Sequence, residues 1–302
     1  MIEQPLVIGG FSPEFWLTQI FNGLMLGMIF VLIAVGLTII FGMMGIINFA
    51  HGDLLLVGTY VAFATWTTTG SLVAGLILAP IIVGIVGAAI EILTLRPIYE
   101  RDILLQLLIT FGVAEFLRGS VMFIWGPRGH NFPIPEWGQR TIDFGLFTYP
   151  GYRLVIILVA TVLLVGIYLM LARTDLGIII RAGTMDREMV NALGIDLSKI
   201  YLIVFVIGAA IAGLAGALIG PVQGATPDLG IELLVPAFVV VVIGGMGSLR
   251  GTIVSGILVG ELLVIVGVLF PRAAEASIYL AMVLVLLIRP RGLFGREGML
   301  EE

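Results

Sequence analysis

Few residues in this sequence have the type and spacing that catalytic chemistry needs. The two histidines, His51 and His130, lie far apart, and neither has a second ligand at helical spacing, so no zinc site is expected. The chain has no cysteine, which excludes disulfides, thiolate metal ligands and cysteine nucleophiles. Ser248 lies among glycines but lacks the G-x-S-x-G spacing of a nucleophile elbow. We therefore expect neither an enzymatic reaction nor a metal site.

Binding of nucleotides or nucleic acids is also not expected. The only lysine, Lys199, stands between Ser198 and Ile200, so the G-x-x-x-x-G-K-[ST] loop that cradles nucleotide phosphates is missing. The net charge of −5 and the single lysine leave no basic patch that could neutralise a nucleic-acid backbone. We expect no bound cofactor and no nucleic-acid partner. If this protein works with ATP, another polypeptide must hydrolyse it.

The composition is that of a membrane protein. Hydrophobic residues make up 60% of the chain and charged residues 12%, with a mean hydropathy of +1.17, whereas soluble domains are about 45–50% apolar. Each membrane-spanning helix needs about 20 mainly apolar residues. We therefore predict one transmembrane domain over 1–302, in an all-α integral membrane protein. Its polytopic helical bundle has about eight or nine transmembrane segments, one or two of them broken or re-entrant. The apolar runs are 15–42, 46–66, 71–95, 103–125, 153–172, 200–222, 232–249, 251–270 and 274–289.

The basic residues predict the orientation. Residues 1–15 contain no Lys or Arg, so the basic region of a cleavable signal peptide is missing and the first run is expected to stay as a helix. With the N-terminus outside and nine crossings, the inside stretches collect Arg96, Arg101, Arg173, Arg181, Arg187, Lys199, Arg250, Arg289, Arg291 and Arg296. The outside stretches collect Arg128, Arg140, Arg153 and Arg272. This bias places the C-terminus and a loop at 173–199 in the cytosol, and a loop at 126–152 outside.

Small residues at four-residue spacing indicate close helix packing. They recur in three of the predicted spans, where they let two backbones approach each other. The sixth span carries Gly208, Ala212, Gly216 and Gly220, the first carries Gly23 and Gly27, and the eighth carries Gly256 and Gly260. We expect a tightly packed bundle.

Ionisable side chains inside apolar runs are costly and invite a functional explanation. Glu115 and Arg118 are three residues apart, so we interpret them as a structural ion pair. Glu91 precedes Arg96 by little more than one turn and is expected to reach the cytosolic interface. Glu261 is alone in its run and must face protein or water. A stand-alone secondary transporter would use such a carboxylate for ion coupling, and this alternative stays open.

Two segments interrupt the apolar helical pattern with glycine and polar residues, one in each half of the chain. The first contains Asn48, His51, Gly52 and Asp53, and the second contains Gly244, Gly245, Gly247 and Ser248. Irregular backbone at membrane depth is tolerated only where it is buried in protein or borders a cavity, and paired interruptions are typical of an internal repeat around a transport site. We predict that both segments line a translocation pathway, while the repeat itself could be a coincidence among 40 glycines.

The longest predicted cytosolic loop contains a short amphipathic helix. Asp186 is a suitable N-cap and Gly194 a suitable C-terminal cap. Met189, Val190 and Leu193 then form an apolar stripe outside the membrane. A partner protein, the lipid interface or the ends of the protein's own spans could cover this stripe.

Several of these strings together resemble a known family. They are Ile46–Asp53, Arg173–Gly177 with Asp186–Glu188, Ala192–Ile195, Gly244–Ser248 and Arg289–Gly295. In this order, from about residue 17 to 295, they resemble the branched-chain amino-acid ABC transporter permeases, of the type found in high-affinity leucine, isoleucine and valine uptake systems.

The resemblance implies an importer of the prokaryotic inner membrane, with membrane lipid around it. Its partners would be a second related permease, two cytosolic ATP-binding subunits that use the ATP, and a periplasmic substrate-binding protein. It also implies that one segment is the coupling helix that docks on an ATPase, formed by Asp186, Arg187, Glu188, Met189, Leu193 and Gly194. The family signature begins Glu-Ala-Ala, where this chain has Glu188-Met189-Val190. The implied substrates are branched-chain amino acids, with amides, urea or other amino acids as alternatives.

Overall fold

The computed structural model describes residues 11–295 and consists almost entirely of helices. Arg296, which entered the charge count above, lies outside the described residues. The helices are α1 Pro13–Met44, α2 His51–Thr69, α3 Leu72–Ile90, α4 Ile103–Trp125, α5 Glu136–Gln139, α6 Gly151–Arg173, α7 Asp175–Met185, α8 Arg187–Ala192, α9 Leu197–Gln223, α10 Leu229–Gly244, α11 Leu249–Leu269 and α12 Ala274–Ile288. A short antiparallel hairpin pairs β1 Thr141–Asp143 with β2 Thr148–Pro150. The predicted all-α bundle is confirmed.

All nine predicted apolar runs contain a helix. Seven helical stretches in the described part of the chain are long and apolar enough to cross a membrane, and α3 reaches Ile98 through a π turn and a 3-10 turn. The two remaining runs are those with interruptions. There α2 starts only at His51 and carries Asp53, and α10 ends at Gly244 and has just 16 residues. The polar and glycine-rich strings therefore lie at helix ends.

The first helix forms the centre of the bundle. It has 32 residues, which at 1.5 Å per residue gives about 48 Å, enough to cross a bilayer at a tilt. Ser12 caps its N-terminus by accepting a hydrogen bond from the Phe15 backbone, and Gly45 ends it with a φ of 71°. Its side chains are buried nearly all round, because α6, α9, α10 and α11 pack against different faces. A helix that is apolar on every side fits such a position.

The predicted small-residue contacts are present. Between α1 and α11, a Cβ added to Gly27 would lie 2.9 Å from the Gly256 carbonyl oxygen, and one added to Gly260 would collide with the Gly27 backbone. In α9, a Cβ on Gly208 would lie 2.7 Å from the Ile40 side chain, and one on Gly220 would lie 2.9 Å from a ring carbon of Phe132. A larger residue at Gly27 or Gly260 would force α1 and α11 apart, so these glycines set the distance between the two helices.

The two ends of the bundle differ. At one end, called the α7–α8 end here, the last turns of α1 and α6 meet α7 and the α10–α11 turn around a shared cavity. At the other end, residues 126–150 form a folded cap. His130 pairs with Ala225 in an antiparallel bridge, and the buried Tyr60 donates a hydrogen bond to the Ala225 carbonyl, 3.0 Å away. The cap is thus anchored to the segment that follows α9, and Tyr60 of α2 is bonded to the same segment.

Candidate translocation and coupling sites

The segment between α1 and α2 turns back into the bundle. Asn48 and His51 are completely buried, and Asn48 uses its side-chain oxygen to accept a hydrogen bond from the Ala50 backbone at 3.0 Å. The Asn48 amide nitrogen has no hydrogen-bond partner among the described residues. The His51 ring packs on α1 where Gly36 leaves room, since a Cβ there would lie 2.7 Å from the imidazole. These polar groups therefore lie inside the protein, where lipid does not reach them.

The first turn of α2 crosses α10 at close range. A Cβ added to Gly52 would collide with the Gly230 carbonyl oxygen and would lie 2.8 Å from the Leu234 side chain. Phe49 stacks at a tilt on Phe238 of α10, with 5.6 Å between ring centroids. Glycine at position 52 is required by this backbone approach.

Asp53 forms a buried ion pair with the fourth helix. The Nε and Nη2 atoms of Arg118 donate to the two carboxylate oxygens of Asp53, each at 3.2 Å, and Nη1 donates to Glu115 at 3.1 Å. The predicted Glu115–Arg118 pair is thus present, but the sequence did not reveal the main partner of Arg118. The signal that could have found it is an acidic residue in an apolar run with no cation one turn away. This two-point contact fixes α2 to α4.

The second interrupted segment is a tight turn from α10 to α11. Gly245 and Gly247 have φ angles of 96° and 79°, which residues with a Cβ adopt only with strain. The backbones of Gly244 and Gly251 are in contact. Ser248 caps α11 by accepting a hydrogen bond from the Gly251 N–H at 3.2 Å. Glycine and a capping serine are what this turn requires.

Backbone hydrogen bonds from the chain near residue 293 hold this turn in place. The backbone N–H of Leu293 donates to the Ile243 carbonyl at 2.8 Å, and that of Phe294 donates to the Gly244 carbonyl at 3.1 Å. These bonds satisfy carbonyls at the end of α10 that would otherwise lack partners. The positions of α10, α11 and the C-terminal segment are therefore linked.

A cavity of about 630 Å³ opens beside the α10–α11 turn. It is lined by Thr38, Ile39, Gly42, Tyr168, Leu171, Ala172, Ile180, Arg181, Thr184, Met246, Gly247, Ser248, Leu249, Arg250 and Phe294. Of the predicted pathway residues, Gly247 and Ser248 border it. Asn48, His51, Gly52 and Asp53 are buried between α1, α2, α4 and α10, and Gly244 and Gly245 lie within the turn. The structure does not bring the two segments to one cavity, and their role in translocation stays a prediction.

The helix predicted in the loop between α6 and α9 is present as α8. Asp186 caps it by accepting a hydrogen bond from the Met189 N–H at 2.8 Å, and Gly194 follows with a φ of 80°. The three apolar residues do not share one exposed stripe. Val190 is buried against the bundle, whereas Met189 and Leu193 are 57% and 72% exposed. The protein's own spans thus cover one residue and leave two uncovered.

The α7–α8 segment contacts the end of α1 and borders the cavity beside the α10–α11 turn. A Cβ added to Gly45, where α1 ends, would lie 3.1 Å from the Arg187 guanidinium. On α7, Gly183 packs against Met43, and Thr184 borders the cavity together with Gly247. Glu188 lies in the first turn of α8, where its charge is favoured by the helix dipole. The α7–α8 segment is therefore in contact with the end of α1 and shares the cavity with the α10–α11 turn.

Glu91 is buried in the protein, whereas the sequence predicted that it reaches the cytosolic interface. It is completely buried, its carboxylate accepts two hydrogen bonds from Arg96 at 3.0 and 3.2 Å, and the Tyr99 hydroxyl donates to it as well. The expectation was wrong because the π turn at Glu91–Leu95 directs this carboxylate into the protein, while Arg96 remains partly exposed and reaches back to it.

The chain is similar to transport proteins of known family. Residues 19–288 match the family described as the branched-chain amino acid transport system permease component. The chain is 31% identical to the high-affinity branched-chain amino acid transport system permease protein BraD of Pseudomonas aeruginosa, over 94% of this chain and 98% of that protein. It is also 31% identical to LivH of Escherichia coli K12, a permease of the same description, over 93% and 96% of the two chains.

More distant similarities extend this picture. The permease protein LivM of Escherichia coli K12 is 29% identical over 89% of this chain and 68% of its own length. Among solved structures, PsaBC from Streptococcus pneumoniae in complex with Fab covers 88% of this chain and 89% of its own, with a TM-score of 0.46 and 15% identity. That structural likeness is too weak to support an inference.

Proposed function

This chain belongs to the family of branched-chain amino acid transport permease components, and from that premise we propose that it is a membrane-spanning subunit of an ATP-binding cassette importer for branched-chain amino acids. Its bundle of apolar helices supplies the path across the prokaryotic inner membrane. It is a transport subunit, without an enzymatic reaction of its own. The sequence contains no Walker loop, so ATP is bound and hydrolysed by separate subunits.

The observation that carries this proposal is the pair of exposed apolar side chains on α8. Met189 and Leu193 project from a helix that is capped at both ends and held to the bundle by Val190. Two large apolar residues held outward on a rigid support form an anchor suited to a pocket on a partner. Helices inserted in grooves are a common docking mode between proteins. We assign this partner as one of two cytosolic ATP-binding subunits.

The contacts of the α7–α8 segment supply a route from ATP to the path. When ATP draws the two motor subunits together, α8 moves with the one on which it docks. Arg187 carries the movement to the end of α1 at Gly45, and Thr184 carries it to the cavity at Gly247 and Ser248. The cavity is the inner end of the path and opens or closes with this displacement.

The orientation follows from the charges. Arg173, Arg181, Arg187 and Arg250 all lie at the α7–α8 end, so we propose that this end and the C-terminus face the cytosol. The cap over 126–150 then faces outward and receives the substrate-binding protein. The similarity to both LivH and LivM of one organism supports pairing with a second related permease.

Single cysteines test this orientation without background labelling, because the chain has no cysteine. In sealed cells, Asp143→Cys in the hairpin should react with a membrane-impermeant maleimide. Met185→Cys, exposed at the end of α7, should react only after permeabilisation. The reverse pattern would overturn the assignment of the cytosolic end.

Reconstitution tests the transport function itself. The complex of this chain with its second permease and ATP-binding subunits is placed in liposomes, and the binding protein is added with leucine, isoleucine, valine, an aliphatic amide or urea. We expect the three branched-chain amino acids to stimulate ATP hydrolysis and to accumulate inside. Stimulation by an amide or urea alone would overturn the substrate assignment. Uptake that persists without the ATP-binding subunits would identify a secondary transporter.

A further inference from the structure

A cluster of complementary polar groups lies at the end of the bundle opposite to α7–α8, where α1, α6 and α11 meet the hairpin. Asn22 of α1 accepts a hydrogen bond from the Tyr149 hydroxyl at 3.1 Å and another from the Arg153 guanidinium. The next residue, Gly23, faces Glu261 of α11, and a Cβ there would lie 2.5 Å from the Glu261 Oε2 atom. A carboxylate, an amide, a phenol and a guanidinium thus meet within one small region.

Glu261 has unused hydrogen-bonding capacity. Its Oε2 atom is buried and has no hydrogen-bond partner among residues 11–295, although the side chain as a whole is only partly buried. A buried carboxylate oxygen that lacks a hydrogen-bond donor carries a desolvation cost that no hydrogen bond offsets. Arg153, on the same cluster, holds Asn22 and has no carboxylate within salt-bridge distance among these residues. Both charged groups therefore contact the Asn22–Gly23 stretch of α1 without forming an ion pair with each other.

The neighbouring surface is aromatic. Phe21 contacts the rings of Phe147 and Tyr149 at centroid distances of 5.1 and 5.4 Å, and Phe144 joins the same group at 6.2 Å from Phe21. Burial raises the pKa of Tyr149 to about 12, so its hydroxyl stays a neutral donor. Charged groups of both signs beside an apolar surface match a zwitterion that carries an aliphatic side chain.

We propose that Asn22, Tyr149, Arg153 and Glu261 form a receiving site for the zwitterionic head group of the amino acid as it leaves the binding protein. The α-ammonium donates to the free Glu261 oxygen, and the α-carboxylate accepts from Arg153, while the side chain lies toward Phe21. This site rests on the proposed import of amino acids and adds where the permease itself recognises them.

Charge-neutralising variants test the site in the complete reconstituted importer with saturating binding protein. Glu261→Gln keeps the shape of the side chain and removes its charge, and Arg153→Gln removes the guanidinium and its charge. We expect leucine uptake per ATP hydrolysed to fall about tenfold or more in each, the size expected when a hydrogen bond to a charged group is lost. The exposed Glu275→Gln and Arg272→Gln variants on the same end should keep wild-type uptake.

Thermal stability separates a binding role from a structural one. Glu261→Gln removes an uncompensated buried charge, so the unfolding temperature of the complex should stay unchanged or rise. Arg153→Lys, which keeps the positive charge, should retain more uptake than Arg153→Gln. Wild-type uptake per ATP in both neutral variants would overturn the proposal, as would loss of uptake that merely follows loss of the assembled complex.

Failure of the receiving-site proposal can be distinguished from failure of the proposed import function. If the wild-type importer takes up no amino acid, the proposed function fails before any variant is compared. If wild-type uptake requires an ion gradient and Glu261→Gln removes that requirement, Glu261 is an ion-coupling residue and the receiving site is overturned.

Discussion

Both interrupted segments combine glycine with polar residues, but the structure holds them in different ways. The first, at the start of α2, has Asn48, His51 and Asp53 buried and is fixed to α4 by the two-point contact between Asp53 and Arg118. The second, between α10 and α11, turns through Gly245 and Gly247, borders a cavity and is held by backbone hydrogen bonds from Leu293 and Phe294. A buried ion pair resists displacement, whereas a glycine turn beside a cavity can change shape. We therefore interpret the first as an anchor and the second as the moving element.

The largest effect should come from breaking the anchor. Arg118→Gln leaves the Asp53 carboxylate buried without a cation, and removing one partner of a buried pair costs roughly 3–5 kcal/mol. We expect a large drop in the yield of monodisperse protein and in its thermal unfolding temperature. The matched control is Glu115→Gln, because Glu115 is half exposed and should matter little.

A double variant sharpens that prediction. Asp53→Asn combined with Arg118→Gln removes both charges and should recover much of the lost stability, since neutral partners can still form a hydrogen bond. If Arg118→Gln alone were as stable as the wild type, the segment at the start of α2 would not be an anchor.

A smaller effect, on function more than on folding, should come from the glycine turn. A Cβ at Gly245 would lie 2.5 Å from the Gly295 backbone nitrogen, and the φ of 96° strains any other residue by about 1–3 kcal/mol. Gly245→Ala should therefore displace the C-terminal segment and lower uptake by the reconstituted importer, while the protein still inserts.

The control for the turn is a glycine with room around it. A Cβ at Gly267 of α11 would meet only Ala274, at 3.8 Å, so Gly267→Ala should leave uptake unchanged and slightly favour the helix. Equal uptake in the Gly245→Ala variant and the wild type would show that the clamp between the turn and the C-terminal segment has no role in transport.

The sequence was sufficient for features that depend on local pattern. Each apolar run contains a helix, because about twenty mainly apolar residues have few alternatives in lipid. The caps at Asp186 and Gly194 were predicted because capping depends on residues within one turn. The close contacts at Gly27 and Gly256 followed from their spacing.

Contacts between distant parts of the chain could not be predicted in this way. Asp53 and Arg118 are 65 residues apart, and nothing local selects the partner. Likewise, the burial of Val190 depends on how α8 lies against the bundle, so an apolar stripe read from the sequence was divided in the structure. The meeting of Asn22 with Arg153 depends on where the hairpin places α6.

The most direct test of the account is to place charge on the exposed face of α8. Met189→Asp with Leu193→Asp puts two carboxylates into a contact that should be apolar, and burying an unpaired carboxylate costs several kcal/mol. The control, Met189→Leu with Leu193→Met, keeps the face apolar. We expect the aspartate variant to insert and stay monodisperse, yet to lose its ATP-binding subunits on purification and its leucine-stimulated ATP hydrolysis, while the control keeps both. Normal association and normal stimulation in the aspartate variant would contradict the assignment of α8 as the docking site of the motor.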